Sequence, residues 1–326
     1  MLADIHGNLP ALETVLAKVE ALQPDQIVVD GDLINGVPFS AEIIDRVRAL
    51  NCVTVRGNHE FYYLDFGTER GLQAYQDHQR WGQLHWLLER ITPAQGAYLA
   101  MLPDERTFYI PTTQPMRVAH GVPGRNRVGF YNHQSPEKII AEIVGIQEHT
   151  LISAHTHVQI DRQLRIDQSV LHTLRMNPAL DQAQMAHLSD ETLLHRHWHL
   201  INPGSVGLPL DGDPCAQFAL LEDVPERVEP GGWRATMYRL PYDRRPALAA
   251  YAETGMLAAG GVITQLFYWE LVTGEPEIIL FYHWARDQGL DPDRDDLTSV
   301  FRAYTHESGR EQVVRALDPL HNRKLA

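Results

Sequence analysis

Five short polar clusters in the first half of the chain carry residue types that bind metal ions. They are Asp4-Ile5-His6, Gly31-Asp32, Gly57-Asn58-His59, His120-Gly121 and His155-Thr156-His157. Each cluster alone is a weak signal, because such pairs occur by chance and more often form turns. Together they offer three carboxylate or amide oxygens and four imidazoles, a mixed set that suits Mn²⁺, Fe, Co²⁺ or Zn²⁺. The clusters therefore predict a metal site if the fold brings them together.

The elements between the clusters follow a strand, loop and helix rhythm. Apolar runs of four to five residues directly precede four of the clusters, and Asp4 follows the tail of another run. Residues 8–22 and 40–50 repeat apolar side chains at helical spacing after a capping residue. This alternation predicts parallel strands joined by right-handed crossovers, with ligands at the carboxyl ends of the strands. All five clusters would then meet at one edge, where metal ions would compensate their buried polarity.

The rest of the chain predicts two units. Further strands are expected at 106–110, 116–119, 150–154, 217–221 and 233–240, and the character changes to aromatic-rich helices after residue 243. We expect a catalytic domain over 1–243 with a polar insertion at about 162–191, followed by a helical extension over 244–326. Only three residues precede Asp4, whereas a buried strand usually has five or six. Either the first strand is truncated or the chain starts upstream.

Composition narrows the class of protein. The 326 residues are 44% apolar, so a sizeable core is expected. The net charge of −14, from 28 basic and 42 acidic residues, argues against general nucleic-acid binding. No apolar run reaches the length of a membrane span and no signal peptide is present, so we expect no membrane association and a cytoplasmic location. The two cysteines form no disulfide framework.

The ordered set of clusters resembles the calcineurin-like metallophosphoesterases, and Asn202-Pro203-Gly204-Ser205-Val206-Gly207 looks like their small bacterial phosphodiesterase branch. The resemblance covers roughly residues 1–243. It implies an α/β fold of two packed mixed β-sheets flanked by helices, to which the helical extension is added. It also implies two divalent transition-metal ions (Mn, Fe, Zn, Co or Ni) and hydrolysis of a small-molecule phosphate ester, and it favours a diester over a monoester.

The resemblance implies a role for each matching residue. One metal ion would be bound by Asp4, His6 and His157, and the other by Asn58, His120 and His155. Asp32 would bridge both ions and leave room for a bridging hydroxide as the nucleophile. His59 would stabilise or protonate the leaving oxygen and would not itself bind metal.

The second cluster departs from the pattern of the protein phosphatases that resemble this fold. Asp32 is present, but residues 33–36 lack the second acidic residue and the arginine that those enzymes carry after it. Their absence argues against the protein-phosphatase branch. Asn35 stands where the acidic residue would support the catalytic histidine, so we expect a neutral hydrogen bond to His59. Arg125 and Arg127, just after His120-Gly121, either grip a substrate phosphate or belong to a solvated turn.

Two rival functions stay open at this stage. One is a phosphomonoesterase, such as a nucleotide or protein phosphatase. The other is a non-catalytic scaffold, although none of the seven predicted ligands is missing. The C-terminal helices have three possible roles, which are packing on the core, covering the active site as a lid, and forming a homodimer.

Overall fold

The computed structural model describes residues 1–177 and 189–322. Residues 178–188 of the predicted insertion and the last four residues of the extension lie outside these ranges. The described residues form ten strands: β1 (Leu2–Ala3), β2 (Val28–Asp30), β3 (Val53–Val55), β4 (Glu105–Phe108), β5 (Met116–Ala119), β6 (Thr150–Ile152), β7 (Ile160–Arg165), β8 (His197–Asn202), β9 (Ala216–Asp223) and β10 (Trp233–Leu240).

The strands build two sheets. In sheet A, β1, β2 and β3 are parallel, and β9 pairs with β10 in antiparallel orientation. Two hydrogen bonds between Met1 and Ala219 align β9 beside β1 and join these two groups. Sheet B has the order β4-β5-β6-β8-β7, in which β5, β6 and β8 are parallel and both edge strands are antiparallel to their neighbours. Both sheets are therefore mixed.

Helices follow most of the strands. The fourteen α-helices of the described residues are α1 (Leu9–Leu22), α2 (Ser40–Leu50), α3 (Asn58–Asp65), α4 (His78–Leu88), α5 (Pro93–Met101), α6 (Pro136–Ile143), α7 (Gln168–Met176), α8 (Asp190–Leu194), α9 (Arg245–Glu253), α10 (Met256–Ala259), α11 (Gly261–Thr273), α12 (Glu277–Asp287), α13 (Leu297–Glu307) and α14 (Arg310–Leu317), with a 3₁₀ turn at Gln73–Gln76. Asn8 caps α1 as expected, since its side chain accepts a hydrogen bond from the Ala11 amide.

The core has three layers of apolar contacts. Val28, Val118 and Ile201 belong to a cluster between the two sheets, which packs them face to face. The outer face of sheet B is covered by α6 and α7. The outer face of sheet A carries α1, α2 and the C-terminal helices in one large cluster. The predicted α/β fold of two packed mixed sheets flanked by helices is confirmed.

Three regions differ from the elements expected from sequence. Residues 58–65 form helix α3, where only a polar loop was expected. The polar stretch after residue 160 forms edge strand β7 and helix α7, whose Val170, Leu171 and Leu174 enter the core below sheet B. Residues 310–317 add a last helix. The sequence did not predict β7 and α7, because each buries only one face and therefore has a polar overall composition.

The C-terminal helices share the largest core of the molecule. Leu248, Tyr251 and Leu266 belong to the same buried cluster as Leu12 and Ile43 of the N-terminal helices. Packing on the core thus accounts for much of their aromatic surface. Within the described residues, no helix combines the length and the apolar character needed to cross a bilayer. The cytoplasmic location and the homodimer stay predictions.

Candidate metal centre

The five clusters lie in loops that directly follow strands of both sheets. Asp4, Asp32, Asn58, His120 and His155 each stand within three residues of the end of β1, β2, β3, β5 or β6. Six residues of these loops adopt positive φ angles, namely Asp4 (51°), His6 (50°), Asp32 (49°), Asn35 (67°), His155 (69°) and His157 (58°). Such backbone costs about 1–3 kcal/mol per residue and collects at functional sites. The other two positive-φ residues outside glycine merely end helices α1 and α2.

Glu60 ties the second and third loops together, a role that the sequence analysis missed. Its buried carboxylate accepts hydrogen bonds from the backbone amides of Gly57 (2.7 Å), Asp32 (2.9 Å) and Leu33 (2.8 Å). The first of these bonds is half of a capping box at the start of α3. A glutamate three residues after the cap was the available sequence signal. Gly57 permits this approach, because a Cβ atom there would lie 2.1 Å from Asp32 Oδ1.

Asn202 and Ser205 hold the first and last loops. The Asn202 amide donates to the carbonyl of Ala154 and to the hydroxyl of Thr156, each at 3.0 Å. The Ser205 hydroxyl donates to the Asp4 carbonyl at 2.7 Å and accepts from the Leu208 amide. The segment 202–207 therefore serves to position the metal-binding loops, and its polar side chains face the protein.

One group of potential ligands consists of Asp4, His6, Asp32 and His157, all buried, with one ligand atom of each within 4.8 Å of the others. Nε2 of His6 lies 3.1 Å from Nε2 of His157 and 3.7 Å from Oδ2 of Asp32. Nε2 of His157 lies 3.5 Å from Oδ1 of Asp4. Both carboxylate oxygens of Asp4 are buried and have no hydrogen-bond partner. This group could hold one metal ion.

A second group shares Asp32 and adds His120 and His155. Nε2 of His120 lies 3.1 Å from Oδ2 of Asp32. The amide oxygen of Asn58 lies 3.2 Å from Nε2 of His120 and 2.7 Å from Nδ1 of His155. Oδ1 of Asp32 accepts a hydrogen bond from the His59 amide, which leaves Oδ2 to face both groups. The structure thus brings together all seven residues that the sequence predicted as ligands.

The hydrogen-bond partners of three histidine rings determine which nitrogen carries a proton in each. Nδ1 of His6, His120 and His157 faces a backbone carbonyl, of Asn35, Asp30 and Leu208 respectively. A carbonyl only accepts, so each Nδ1 carries a proton, and Nε2 of the neutral His6 and His157 rings presents a lone pair. Burial opposes a charge on His120, but Asp32 and Asp4 outweigh it and raise the pKa of His120 well above its usual range, so that without a metal its Nε2 donates to Asp32.

Lone pairs therefore face one another across the pocket. His6 and His157 direct their Nε2 atoms at each other at 3.1 Å, and the two buried carboxylate oxygens of Asp4 beside them have no partner. Close contacts between acceptors are repulsive unless a proton or a metal ion lies among them. The donor set and its geometry fit divalent transition metals.

The pKa shifts of the same side chains agree with a role as metal ligands. Burial lowers the pKa of His6 and His157, and lowers the pKa of His155 to about 4, so these rings favour the neutral form that binds metal. Burial alone would raise the pKa of Asp32, but His120 and His59 outweigh it and hold the pKa well below its usual range. Asp32 therefore stays a carboxylate in the middle of the pocket.

His59 lies at the edge of the pocket and is fixed by Asn35. The Gly36 amide donates to Oδ1 of Asn35, so Nδ2 of Asn35 must face Nδ1 of His59, at 3.0 Å. Because Nδ2 is a donor, Nδ1 of His59 accepts and Nε2 carries the ring proton. That nitrogen lies 4.0 Å from Oδ2 of Asp32. Burial lowers the pKa of His59 to about 3, so a neutral ring presents an N–H to the site.

The two arginines differ in their surroundings. Arg125 forms an ion pair with Glu142. Arg127 forms no ion pair with any described residue; its guanidinium donates to the Tyr75 hydroxyl at 3.1 Å and stacks 4.9 Å above the Tyr62 ring. Both arginines line a cleft of about 580 Å³ that reaches His120. Arg127 is thus the arginine whose charge is free for an anion.

Comparisons with known proteins agree with this architecture. The family model described as calcineurin-like phosphoesterase matches residues 1–159. An uncharacterized protein of Methanocaldococcus jannaschii is 20% identical over 257 residues, which cover 76% of this chain and 88% of that protein.

Two solved structures share the fold. A metallophosphoesterase from Sphaerobacter thermophilus is 22% identical with a TM-score of 0.57, and the match covers 84% of this chain and 98% of that one. A hypothetical protein from Pyrococcus horikoshii OT3 is 18% identical with a TM-score of 0.58, over 82% and 96% of the two chains. The five clusters gathered at one edge of the fold lie within residues 1–159, the part of the chain that matches the calcineurin-like phosphoesterase family.

Proposed function

We propose that this protein is a dinuclear metal-dependent hydrolase of phosphate esters, and that it prefers a phosphodiester. The observation that carries the proposal is the contact in which His6 and His157 direct lone pairs at each other beside the unpartnered carboxylate of Asp4. A metal ion at this position would relieve the repulsion, and the ligands fall into two groups that share Asp32. Asp4, His6 and His157 would hold one ion, and Asn58, His120 and His155 the other.

Two divalent ions bound here would supply a Lewis acid for the phosphoryl oxygens and would lower the pKa of a bound water. The chain supplies the remaining functions. Oδ2 of Asp32 faces both ligand groups and would set their separation. The neutral His59 ring, with its proton on Nε2, would donate a hydrogen bond to the leaving oxygen and stabilise its developing negative charge. Arg127 would bind an anionic oxygen of the substrate at the mouth of the cleft.

Asn35 would act through His59. An acidic residue at this position would accept a hydrogen bond from Nδ1–H and stabilise the imidazolium form. Asn35 instead donates to Nδ1, which selects the tautomer that presents the Nε2 proton to the substrate.

The preference for a diester rests on the resemblance of segment 202–207 to the phosphodiesterase branch. A phosphomonoesterase uses the same metal chemistry and is the second outcome to test. The expected substrate is a small molecule, because the net charge of −14 disfavours nucleic acid.

The decisive experiment measures turnover of a matched aryl phosphate monoester and diester. The metal-free protein is loaded in turn with Mn²⁺, Fe²⁺, Co²⁺, Ni²⁺ and Zn²⁺, and Asp32→Asn serves as the control for contaminating hydrolases. We expect faster turnover of the diester, loss of activity with a chelator and recovery on adding metal back. Faster turnover of the monoester would select the phosphomonoesterase. Two bound metals with no turnover of either ester would identify a scaffold.

A further inference from the structure

Helix α3 carries an aromatic residue that faces the candidate metal centre and was not among the predicted site residues. We propose that the Tyr62 hydroxyl binds a non-bridging oxygen of the substrate phosphate, beside Arg127. This inference rests on the proposed phosphoesterase function and adds a substrate-contacting residue to it. A phenol is protonated at neutral pH, so that Tyr62 offers a neutral hydrogen-bond donor where an anion would bind.

The position of Tyr62 follows from helix geometry. Residues four apart lie on the same face of a helix, so Tyr62 stands one turn above Asn58, the first residue of α3. Its hydroxyl lies near the Asn58 side chain, whose oxygen faces His120 and His155. The ring packs against the apolar core, and the hydroxyl stands beside the second ligand group.

Three aromatic contacts fix the Tyr62 ring. The centroid of the ring lies 5.1 Å from that of His59, 5.1 Å from that of Trp81 and 5.9 Å from that of Tyr75, all in edge-to-face arrangements. Aromatic pairs of this geometry stabilise a defined orientation. The hydroxyl is therefore held in place before a substrate arrives, which lowers the entropic cost of binding.

The hydroxyl of Tyr62 differs from those of three other buried or half-buried tyrosines. The hydroxyls of Tyr75, Tyr251 and Tyr268 each bond to an arginine, a carbonyl or a carboxylate. The Tyr62 hydroxyl donates to no carbonyl or carboxylate of the described residues, so its proton is available to a ligand. A structural tyrosine at this depth would instead bond to a fixed acceptor.

Arg127 is held on the same side by the same aromatic group. Its guanidinium lies over the Tyr62 ring and donates to the Tyr75 hydroxyl. Tyr62 and Arg127 thus form a pair of donors, one neutral and one cationic, which we call the Tyr62–Arg127 clamp. A tetrahedral phosphate offers the several oxygens that such a clamp requires.

The test is Tyr62→Phe, which keeps the ring contacts and removes only the hydroxyl. We expect kcat/KM for an aryl phosphodiester to fall by about 10- to 100-fold, the usual effect of losing one hydrogen bond to a charged group. The inhibition constant for inorganic phosphate should rise over a similar range. Metal content should equal that of the wild type. The loss should be the same for good and poor leaving groups, because a non-bridging oxygen receives no proton.

Tyr63→Phe is the matched control, since Tyr63 lies next on the same helix and its hydroxyl faces Gly96 of α5. It should leave both constants unchanged. Arg127→Met, combined with Tyr62→Phe, should cost less than the product of the single effects, because both donors bind one phosphate.

Wild-type kinetics for Tyr62→Phe in an active enzyme would overturn the clamp and leave the phosphoesterase intact. Loss of metal from Tyr62→Phe would also overturn it, because the residue would then act only through Asn58. An inactive wild-type protein would instead overturn the proposed function itself.

Discussion

Buried charged side chains have different partners in the strand-end loops and in the C-terminal helices. In the loops, Asp4 has two buried oxygens with no hydrogen-bond partner, and lone pairs of neighbouring histidines face each other. In the helices, Glu277 is fully buried, but its carboxylate accepts from the Arg310 guanidinium (2.7 and 2.9 Å) and from the Thr273 hydroxyl (2.7 Å). The strand-end loops need a bound cation, whereas the C-terminal helices supply the Arg310 guanidinium as the partner of Glu277.

The backbone shows the same contrast. Six non-glycine residues with positive φ lie in the strand-end loops, and among residues 245–322 only glycines adopt positive φ. Strained backbone persists where the surrounding structure holds it for a function. Buried carboxylate oxygens without a partner and strained non-glycine backbone therefore coincide in the strand-end loops, and neither occurs in the described part of the helical extension. Buried charge alone would not identify a functional site in this protein, because Glu277 is buried more completely than His157.

The largest expected effect is that of Asp32→Asn. A single carboxylate faces both ligand groups, so its loss should abolish measurable turnover and lower the occupancy of both metals. Metal content per chain after purification measures this directly. Glu277→Gln is the matched control in the helical region. It should keep both metals but reduce the free energy of unfolding by roughly 2–4 kcal/mol, because it breaks a buried ion pair. Normal metal content in Asp32→Asn would refute the bridging role.

His59→Ala should separate catalysis from metal binding within the loops. Since His59 would stabilise the leaving oxygen through a hydrogen bond and would not bind metal, turnover should fall by about 10²–10³-fold while metal content stays normal. The defect should shrink for substrates with acidic leaving groups, whose leaving oxygens need little stabilisation. Steady-state rates on a series of aryl diesters test this dependence. An equal defect across the series, or loss of metal, would contradict the assigned role.

Glu270 should make the helical region sensitive to pH. Burial, with a smaller contribution from the charge of Glu277, raises the pKa of Glu270 to about 8. The unfolded chain has the ordinary value near 4.3, so the folded state binds more protons between these values. Stability should therefore fall as the pH rises from about 5 to 8.

Glu270→Gln removes this titration. We expect the variant to gain roughly 2–4 kcal/mol over the wild type at pH 9, with little difference at pH 5. Urea unfolding at both values measures the gain. An equal difference at the two values would show that Glu270 does not titrate in this range.

The smallest expected effect concerns the contact between the two regions. The buried Tyr251 hydroxyl donates to the Gly36 carbonyl at 2.7 Å, which joins α9 to the loop of Asp32 and Asn35. Tyr251→Phe leaves that carbonyl without its partner and should cost about 1–2 kcal/mol of stability. Chemical denaturation measures the loss, and metal content should not change. A loss of metal would show that the helical region supports the site directly.

The sequence predicted much of this architecture because its signals are local. Apolar runs followed by polar clusters marked the strand ends of β2, β3, β5 and β6, and helical spacing marked α1 and α2. Since parallel strands direct their carboxyl ends to one edge, the five clusters could be expected to converge. The roles of Glu60 and Tyr62 were not predicted, because α3 was expected to be a loop and helical spacing was therefore not applied to residues 58–65.

The identity of the candidate ligands was determined by the sequence alone, through residue type and position after a strand. Tertiary structure decided which atoms face the pocket. The tautomers of His6, His120 and His157 depend on carbonyls of Asn35, Asp30 and Leu208, which are 29 to 90 residues away along the chain. Likewise, only the folded chain distinguishes Arg127, stacked on Tyr62, from Arg125, paired with Glu142. Hydrogen bonds and charges act over a few ångströms in space, and a sequence pattern does not contain those distances.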